Sequence, residues 1–472
     1  MPLDHILQNQ LRDIVGAKAA IADPAEMAPY LHEERGLYHG KAALVLRPGS
    51  TEEVARIVSA CAASKTPIVP QGGNTGLCGG AAPHKDASEV IVSLGRMNKV
   101  RAIDPMNFTI TVDAGCVLAD IQRIALEHDC IFPLSLAAEG SCQIGGNLAT
   151  NAGGINVLRY GNTRDLVLGL EVVLADGRMW NGMRALGKDN TGYALRHLFV
   201  GAEGTLGIIT GAVLKLFPRP KETATALCAL RDLDSVTQLL SHARAISGDC
   251  VSAFELIPRI GLEMCNRHIA GTTDPLSTKH DWYVLIEFST SRPDSGLRST
   301  FEKLLETAFE AGIVTDAVVA ESMEQAKSLW RIRESLPEAQ KHEGGSIKHD
   351  VSVPVSLVPK FIADASKAVT ANFAGCRPVP FGHVGDGNVH FNVSQPIGMD
   401  KATYIAQWEA MNRVVHDMVV GMNGSISAEH GIGMLKVDEM KHYKDPVELD
   451  LMRKLKRAID PANLMNPGKV VD

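Results

Sequence analysis

PQGGNTGLCGG, residues 70–80, decides how this chain is read: it follows an apolar segment directly and sets five glycines within eleven residues. Backbone without Cβ atoms can approach a phosphate closely and turn its N–H groups toward it. The spacing is neither G-x-G-x-x-G nor a loop closed by Gly-Lys-Ser/Thr, so neither common nucleotide fingerprint applies. Taken alone, the loop reads equally well as a tight turn.

Upstream, an apolar strand at 43–46, a break at Pro48-Gly49, an amphipathic helix at 51–63 and a strand at 67–69 form a β-α-β opening. Ser50 followed by Glu53 is a capping box at that helix entry. Downstream come β-like runs at 90–94, 109–112 and 167–174, with a helix pattern at 118–128. Two further glycine-rich segments, EGSCQIGGNLATNAGGINVLRYGNTRDLV (139–167) and GAEGTLGIIT (201–210), lack the large apolar residues that pack a core, until the second ends in an apolar strand. Three such segments suit one large cofactor touched at several points; loops whose glycines merely permit turns are the alternative.

Pro218-Arg219-Pro220 admits neither helix nor interior strand, which puts a domain border there. Beyond it, strand-like segments (223–230, 282–288, 347–353) alternate with helix-length patterns (235–246, 297–311, 321–336), implying a smaller sheet with helices on one face. A last segment from about residue 425 carries a helical stretch at 447–459. The total of 472 residues calls for two or three units.

Composition excludes several classes. Hydrophobic residues make up 45% and charged residues 21%, with no run of ~20 apolar residues to cross a bilayer. The first residues bring acidic groups without a basic leader, so a secretory signal is not expected and a cytoplasmic address is. Nine cysteines, odd in number and without a CxxC pair, read as reduced thiols. A formal charge of −7 without a Lys/Arg cluster leaves little to hold nucleic acid.

The sharpest chemistry lies in FGHVGDGNVHFNV (381–393). Gly385 and Gly387 oppose a helix, so the segment reads as a turn feeding a strand in which Asn388, His390 and Asn392 share one face. His383, on the turn, can converge with His390; Asp386, between two glycines, is turn chemistry. SAEHGIG (427–433) adds Glu429 and His430. A lone histidine is more often a satisfied surface or core residue, but this clustering in glycine-braced loops favours a site. Two histidines and a carboxylate leave open positions on zinc, manganese or iron.

With these motifs in view, residues 70–76, IGGNLATNAGG (144–154), and DNTGY (189–193) with EGTLG (203–207) resemble the FAD-binding half of the vanillyl-alcohol-oxidase, or PCMH-type, flavoproteins. From about residue 43 to the C-terminus the chain resembles the D-lactate and D-2-hydroxyglutarate dehydrogenase branch. The resemblance implies an α+β fold: a two-lobed FAD-binding domain (1–218), a cap domain with an antiparallel sheet flanked by helices (219–424), and a C-terminal segment (425–472) packing back on the first domain. It implies FAD contacts at Pro70, Gln71, Gly72, Gly73, Asn74, Thr75 and Gly76 around the pyrophosphate. Further contacts are implied at Gly140, Ser141, Ile144, Gly145, Gly146, Asn147, Thr150, Gly153, Gly154, Glu203, Gly204, Gly207, Ile208, Ile209 and Asn466. Relatives that attach flavin covalently often carry histidine where Asn74 stands, so FAD is expected to be held without a covalent bond.

In the motifs GHxGDGNxH and SxEHGxG, the resemblance makes His383, His390 and Glu429 metal ligands, His430 the general base and a substrate contact, and Asn392 another substrate contact. Arg333 and Lys348 match substrate-contacting positions; for Arg333, as for Arg331, a solvated helix face is the other reading. Pro337 stands where hydroxyglutarate relatives have threonine. The expected reaction is oxidation of a D-2-hydroxy acid, D-2-hydroxyglutarate or D-malate, to the 2-oxo acid. A metal that lowers the pKa of bound water from about 15.7 to about 7 would act on the substrate hydroxyl in the same direction. D-lactate or glycolate oxidation is the near alternative; a metal-dependent hydrolase with a nucleotide loop, or a flavin electron-transfer subunit, are the distant ones. The expected acceptor is an electron-carrier protein or a quinone, and a homodimer is compatible with the sequence.

Overall fold

The apolar runs at Leu44–Leu46 and Ile68–Gln71 become parallel neighbours of Val90–Ser93 in a computed structural model of the chain, which describes residues 3–472. Ala20–Ile21 adds an antiparallel edge to this four-stranded sheet. Parallel strands are buried on both faces, which is why they read as unbroken apolar runs. Val45, Val69 and Ile91 pack with Met27 on one side. The connecting helix Thr51–Ser64 buries Val54, Ile57, Val58 and Cys61. Ser50 Oγ accepts from the Glu53 N–H at 3.2 Å, but Glu53 reaches back to the Gly49 N–H (2.7 Å), one residue beyond the expected Ser50.

A second sheet is antiparallel, in the order Val100–Asp104, Thr109–Asp113, Ile208–Lys215, Val167–Val173, Met179–Gly182. Its two outer strands are largely exposed, so they carry no apolar run to mark them. These elements belong to one compact unit made of the chain up to Gly153, Gly161–Arg219 and Glu429–Asp472. The last segment is tied in by backbone: Ile68 N–H donates to the Leu464 carbonyl and Asn466 N–H to that of Ile68, each at 2.8 Å.

The second unit comprises Gly154–Tyr160 and Pro220–Ala428. Gly154–Tyr160 joins this unit, against the expected continuous 1–218, because the Arg159 guanidinium donates to the Ser289 hydroxyl (2.7 Å) and carbonyl. The other joints fall after Arg219 and Ala428, a residue and four residues beyond the sequence reading. Its larger sheet is antiparallel, ordered Val251–Pro258, Trp282–Thr290, Glu222–Leu230, Val314–Val319. Leu227 and Leu285 pair across it and share a core with Leu262, Ile332 and Phe381. A smaller antiparallel sheet sets Asn388–Ser394 between Ser346–Ser352 and Arg377–Phe381, in a register that pairs Asp350 with His390 and Lys348 with Asn392.

Among the described residues no helix is long and apolar enough to cross a membrane. All nine cysteines are unbridged, and eight are buried.

Candidate active site

In the first unit the glycine loops line a cleft with about 1400 Å³ of space not filled by atoms. Pro70 to Gly76 form one wall, Gly145, Gly146, Asn147, Thr150 and Gly153 another, and Glu203, Gly204, Gly207, Ile208 and Ile209 a third. Gly73 is dictated by close packing, since a Cβ there would lie 2.3 Å from the Ser141 carbonyl oxygen. Gly76 and Gly146 are dictated by something else: a Cβ at either would meet no atom within 4 Å, so the backbone is laid open to the cleft. On the cleft wall Gln143 Oε1 and Asn147 Oδ1 are buried without a hydrogen-bond partner. Open backbone, unsatisfied amide groups and small side chains fit a long, flat, hydrogen-bonding cofactor such as FAD, whose pyrophosphate is suited to N–H dipoles.

Five of the expected FAD positions do not line the cleft. Ile144 is fully buried, because residues 144–150 form a short helix, where a wrapped loop had been expected, with Ile144 and Leu148 facing inward. Gly154 belongs to the second unit. Gly140 and Ser141 are exposed and stand outside the lining, although the Ser141 carbonyl oxygen packs close to Gly73. Asn466 acts one layer out, its Nδ2 donating to the carbonyls of Gly80 (2.8 Å) and Glu203 (2.7 Å). Sequence reasoning missed the apolar part of the wall, Leu94 and Leu136 to Ala138, whose residue types carry no chemical signature.

Asn74 lines the cleft at a left-handed φ of 55°, with its amide donating to the carbonyls of His32 (2.8 Å) and Pro29 (3.2 Å). Glu203 spends both oxygens on backbone, accepting from Ile432 N–H (2.7 Å) and Gly433 N–H (2.8 Å). Burial raises its carboxyl above the ordinary range, against the pull of those two donors. Its role is to hold the EHGIG turn, and that turn brings Glu429 and His430 to the cleft wall. The two side chains are mostly buried, with His430 Nε2 at 3.7 Å from Glu429 Oε1.

The second unit assembles the other residues. His383 and His390 stand with ring centroids 5.3 Å apart and planes at 77°. Gly382, at φ 128°, makes this approach possible, because a Cβ there would sit 2.9 Å from His390 Cδ2. His390 Nδ1 lies 3.8 Å from Asp350. Asp386 is the expected turn residue, accepting from Asn388 N–H at 3.1 Å; burial pushes its carboxyl up to about 6, with His383 pulling the other way.

Arg333 is buried, 6% exposed, which overturns the solvated-face reading; Arg331 is exposed and donates to the Ala270 carbonyl. Arg333 Nε donates to Glu255 Oε2 at 2.6 Å, and its guanidinium lies 5.1 Å from the Phe381 ring centroid. The other oxygen, Glu255 Oε1, is 2.7 Å from His383 Nδ1. Burial pushes the Glu255 carboxyl up, but the charges of His383 and Arg333 outweigh it and hold the group down at about 2. Asn392 is buried and donates to Gln340 Oε1 at 2.8 Å, while Lys348 is partly exposed on the neighbouring strand. Glu255 and Gln340 had been missed: Glu255 is a polar residue inside an apolar run, Gln340 is one polar residue among several on a short helix, and neither belongs to a motif.

Fold and cleft define a flavoprotein oxidoreductase of the two-lobed FAD-binding type. Residues 219–470 match the family of FAD linked oxidases, C-terminal domain, and residues 42–182 match the FAD binding domain. The chain belongs to this FAD-linked oxidase family. It is 37% identical over 476 residues to the mitochondrial D-2-hydroxyglutarate dehydrogenase of Arabidopsis thaliana, covering 99% of this chain and 82% of that protein. It is 38% identical over 454 residues to that of Bos taurus (96% and 81%). With the D-2-hydroxyglutarate dehydrogenase of Xanthomonas citri pv. viticola it shares 37% over 462 residues (98% and 96%). Among solved structures, p-cresol methylhydroxylase with substrate bound superposes at TM-score 0.77 and 19% identity, covering 98% of this chain and 96% of that one. An alkyldihydroxyacetonephosphate synthase does so at 0.77 and 18% (99% and 86%), and at such identities the likeness concerns the fold.

Proposed function

We propose that this flavoenzyme oxidises the C2 hydroxyl of D-2-hydroxyglutarate, or of a near neighbour such as D-malate, to the 2-oxo acid. What carries the reading is identity of 37–39% over nearly the whole chain to proteins named for that substrate. His430, on the wall of the flavin cleft, takes the hydroxyl proton as general base. Bound FAD supplies the acceptor for the hydride, and with Asn74 in place of a histidine it is held without a covalent bond. Arg333 and Lys348 serve the distal carboxylate, a task that suits a guanidinium fork. Asn392, anchored by Gln340, is a further substrate contact.

His383, His390 and Glu429 are the proposed ligands of a divalent metal, zinc by the character of the donors, with manganese or iron as alternatives. Such an ion supplies polarisation of the substrate oxygens. An electron-carrier protein or a quinone completes the turnover, and a homodimer suits the reading. The reduced cysteines favour a cytoplasmic location; the plant and animal relatives carry a mitochondrial one in their names, and fractionation of the native host decides between them.

The test is anaerobic bleaching of the flavin by a panel of D- and L-2-hydroxy acids. D-2-hydroxyglutarate and D-malate should bleach it fastest, and indifference to every 2-hydroxy acid rejects the proposal. One observation favours a second reading, D-lactate or glycolate: Pro337 stands where hydroxyglutarate relatives have threonine. Faster bleaching by D-lactate than by the dicarboxylates would select it.

A further inference from the structure

From the geometry of the second unit we infer that Glu255 is a positioning residue that orients both a metal-binding histidine and the arginine that receives the substrate's distal carboxylate. The inference rests on the roles just proposed for His383 and Arg333. Glu255 sits on Val251–Pro258, a strand buried at every position. Its neighbour Leu256 forms an isolated antiparallel bridge with Gly382, the two residues exchanging N–H donors at 2.9 and 3.2 Å. That bridge fixes the turn carrying His383 against the strand carrying Glu255.

The carboxylate is divided between two partners. Oε1 lies 2.7 Å from His383 Nδ1, an arrangement that would hold a proton on Nδ1 and make Nε2 the nitrogen that would face a metal. A carboxylate in this place fixes the ring and makes the other nitrogen a better ligand. Oε2 takes Arg333 Nε at 2.6 Å, and the Phe381 ring stacks near the guanidinium. The two terminal nitrogens of Arg333 make no hydrogen bond among the described residues, although the side chain is only 8% exposed. A buried guanidinium fork held through Nε, with its terminal nitrogens unspent, is set to receive a second carboxylate. No other side chain of the described residues within hydrogen-bond reach of Glu255 competes for its oxygens. One residue thereby couples metal affinity to selectivity for dicarboxylic substrates.

The experiment compares wild-type holoenzyme with Glu255→Gln, whose amide can accept from one partner but not from both. FAD content is measured first, then zinc affinity by competition with a chromophoric chelator, then KM and kcat for D-2-hydroxyglutarate and D-lactate at saturating zinc. The expected result is full FAD content, zinc bound about 10- to 100-fold more weakly, and KM raised for D-2-hydroxyglutarate with KM for D-lactate little changed. Unaltered zinc affinity and an unaltered ratio of the two KM values would overturn the inference while leaving the proposed function standing. A wild-type enzyme that binds no zinc, manganese or iron would instead remove the metal reading and this inference together. Should Glu255→Gln not fold, Glu255→Asp keeps the charge but is one methylene too short to reach both partners. It is read by the same measurements, with the same direction expected and the same null result decisive.

Discussion

The flavin cleft and the Glu255 network are built on opposite plans. The cleft is made of backbone: glycines, alanines and amide side chains, with Glu203 spent entirely on holding a turn. The network is made of charged side chains, each buried and each dependent on a particular partner. A backbone site reads the shape of a large ligand and tolerates changes of side chain wherever no Cβ intrudes. A buried charged site has no such tolerance, because removing one partner leaves the other desolvated and unpaired.

The contrast can be broken at several points. The largest effect is expected at His430, on whose side chain the proposed reaction depends: His430→Asn should keep FAD but slow flavin reduction about 10²- to 10⁴-fold in stopped-flow measurement. Reduction at the wild-type rate would dismiss the base. Next is Gly73→Ala. Its Cβ would meet the Ser141 carbonyl oxygen at 2.3 Å, and overpacking should cost about 1–3 kcal/mol of stability in denaturant unfolding of the apoprotein. Gly146→Ala, with no protein atom to strike, should leave stability unchanged and act on FAD affinity alone, which separates a ligand-facing glycine from a packing one.

A smaller effect concerns pH. Burial pushes the Glu343 carboxyl up, but hydrogen bonds from Arg377 (2.5 Å) and His268 (2.6 Å) and the charge of Arg267 hold it down at about 2. A carboxylate with a depressed folded pKa stabilises fully above its unfolded value, about 4.5, and loses that contribution as pH falls toward 2. Glu343→Gln should therefore lower the melting temperature near neutrality and flatten its decline between pH 4.5 and 2; parallel acid profiles for the two proteins would contradict this. The smallest is Asn74→Ala, expected to raise the FAD dissociation constant only a few-fold. The two hydrogen bonds it removes tie a partly exposed side chain to the protein's own carbonyls, so most of their worth, about 1 kcal/mol each, is expected as lost stability and not as lost FAD affinity.

The same contrast governs what could be read from residues alone. Parallel strands such as Ile68–Gln71 announce themselves because burial on two faces leaves an apolar run. Val251–Pro258 is equally buried, yet Ser252 and Glu255 interrupt it: Ser252 finds its partner on the neighbouring strand, and Glu255 finds its partners on a turn and a helix outside the sheet. The helix Ile144–Thr150 is composed of poor helix formers and is stabilised by tertiary packing, with Gly145 pressed against Ala114. Motif residues were legible as candidates because their chemistry is unusual: His383, His390, Glu429 and His430 stand out in any composition. Glu255, Gln340 and the apolar wall at Leu136 to Ala138 were not, because their meaning lies in a neighbour 52 to 128 residues away or in shape alone.

The most direct test is a single anaerobic turnover with D-2-hydroxyglutarate carrying deuterium at C2, followed through the flavin absorbance. Removal of the C2 hydrogen to bound FAD, assisted by His430, requires full bleaching, stoichiometric 2-oxo acid and a slower rate for the deuterated substrate. An unbleached flavin in protein that retains its FAD, with zinc, manganese or iron supplied, would contradict the account.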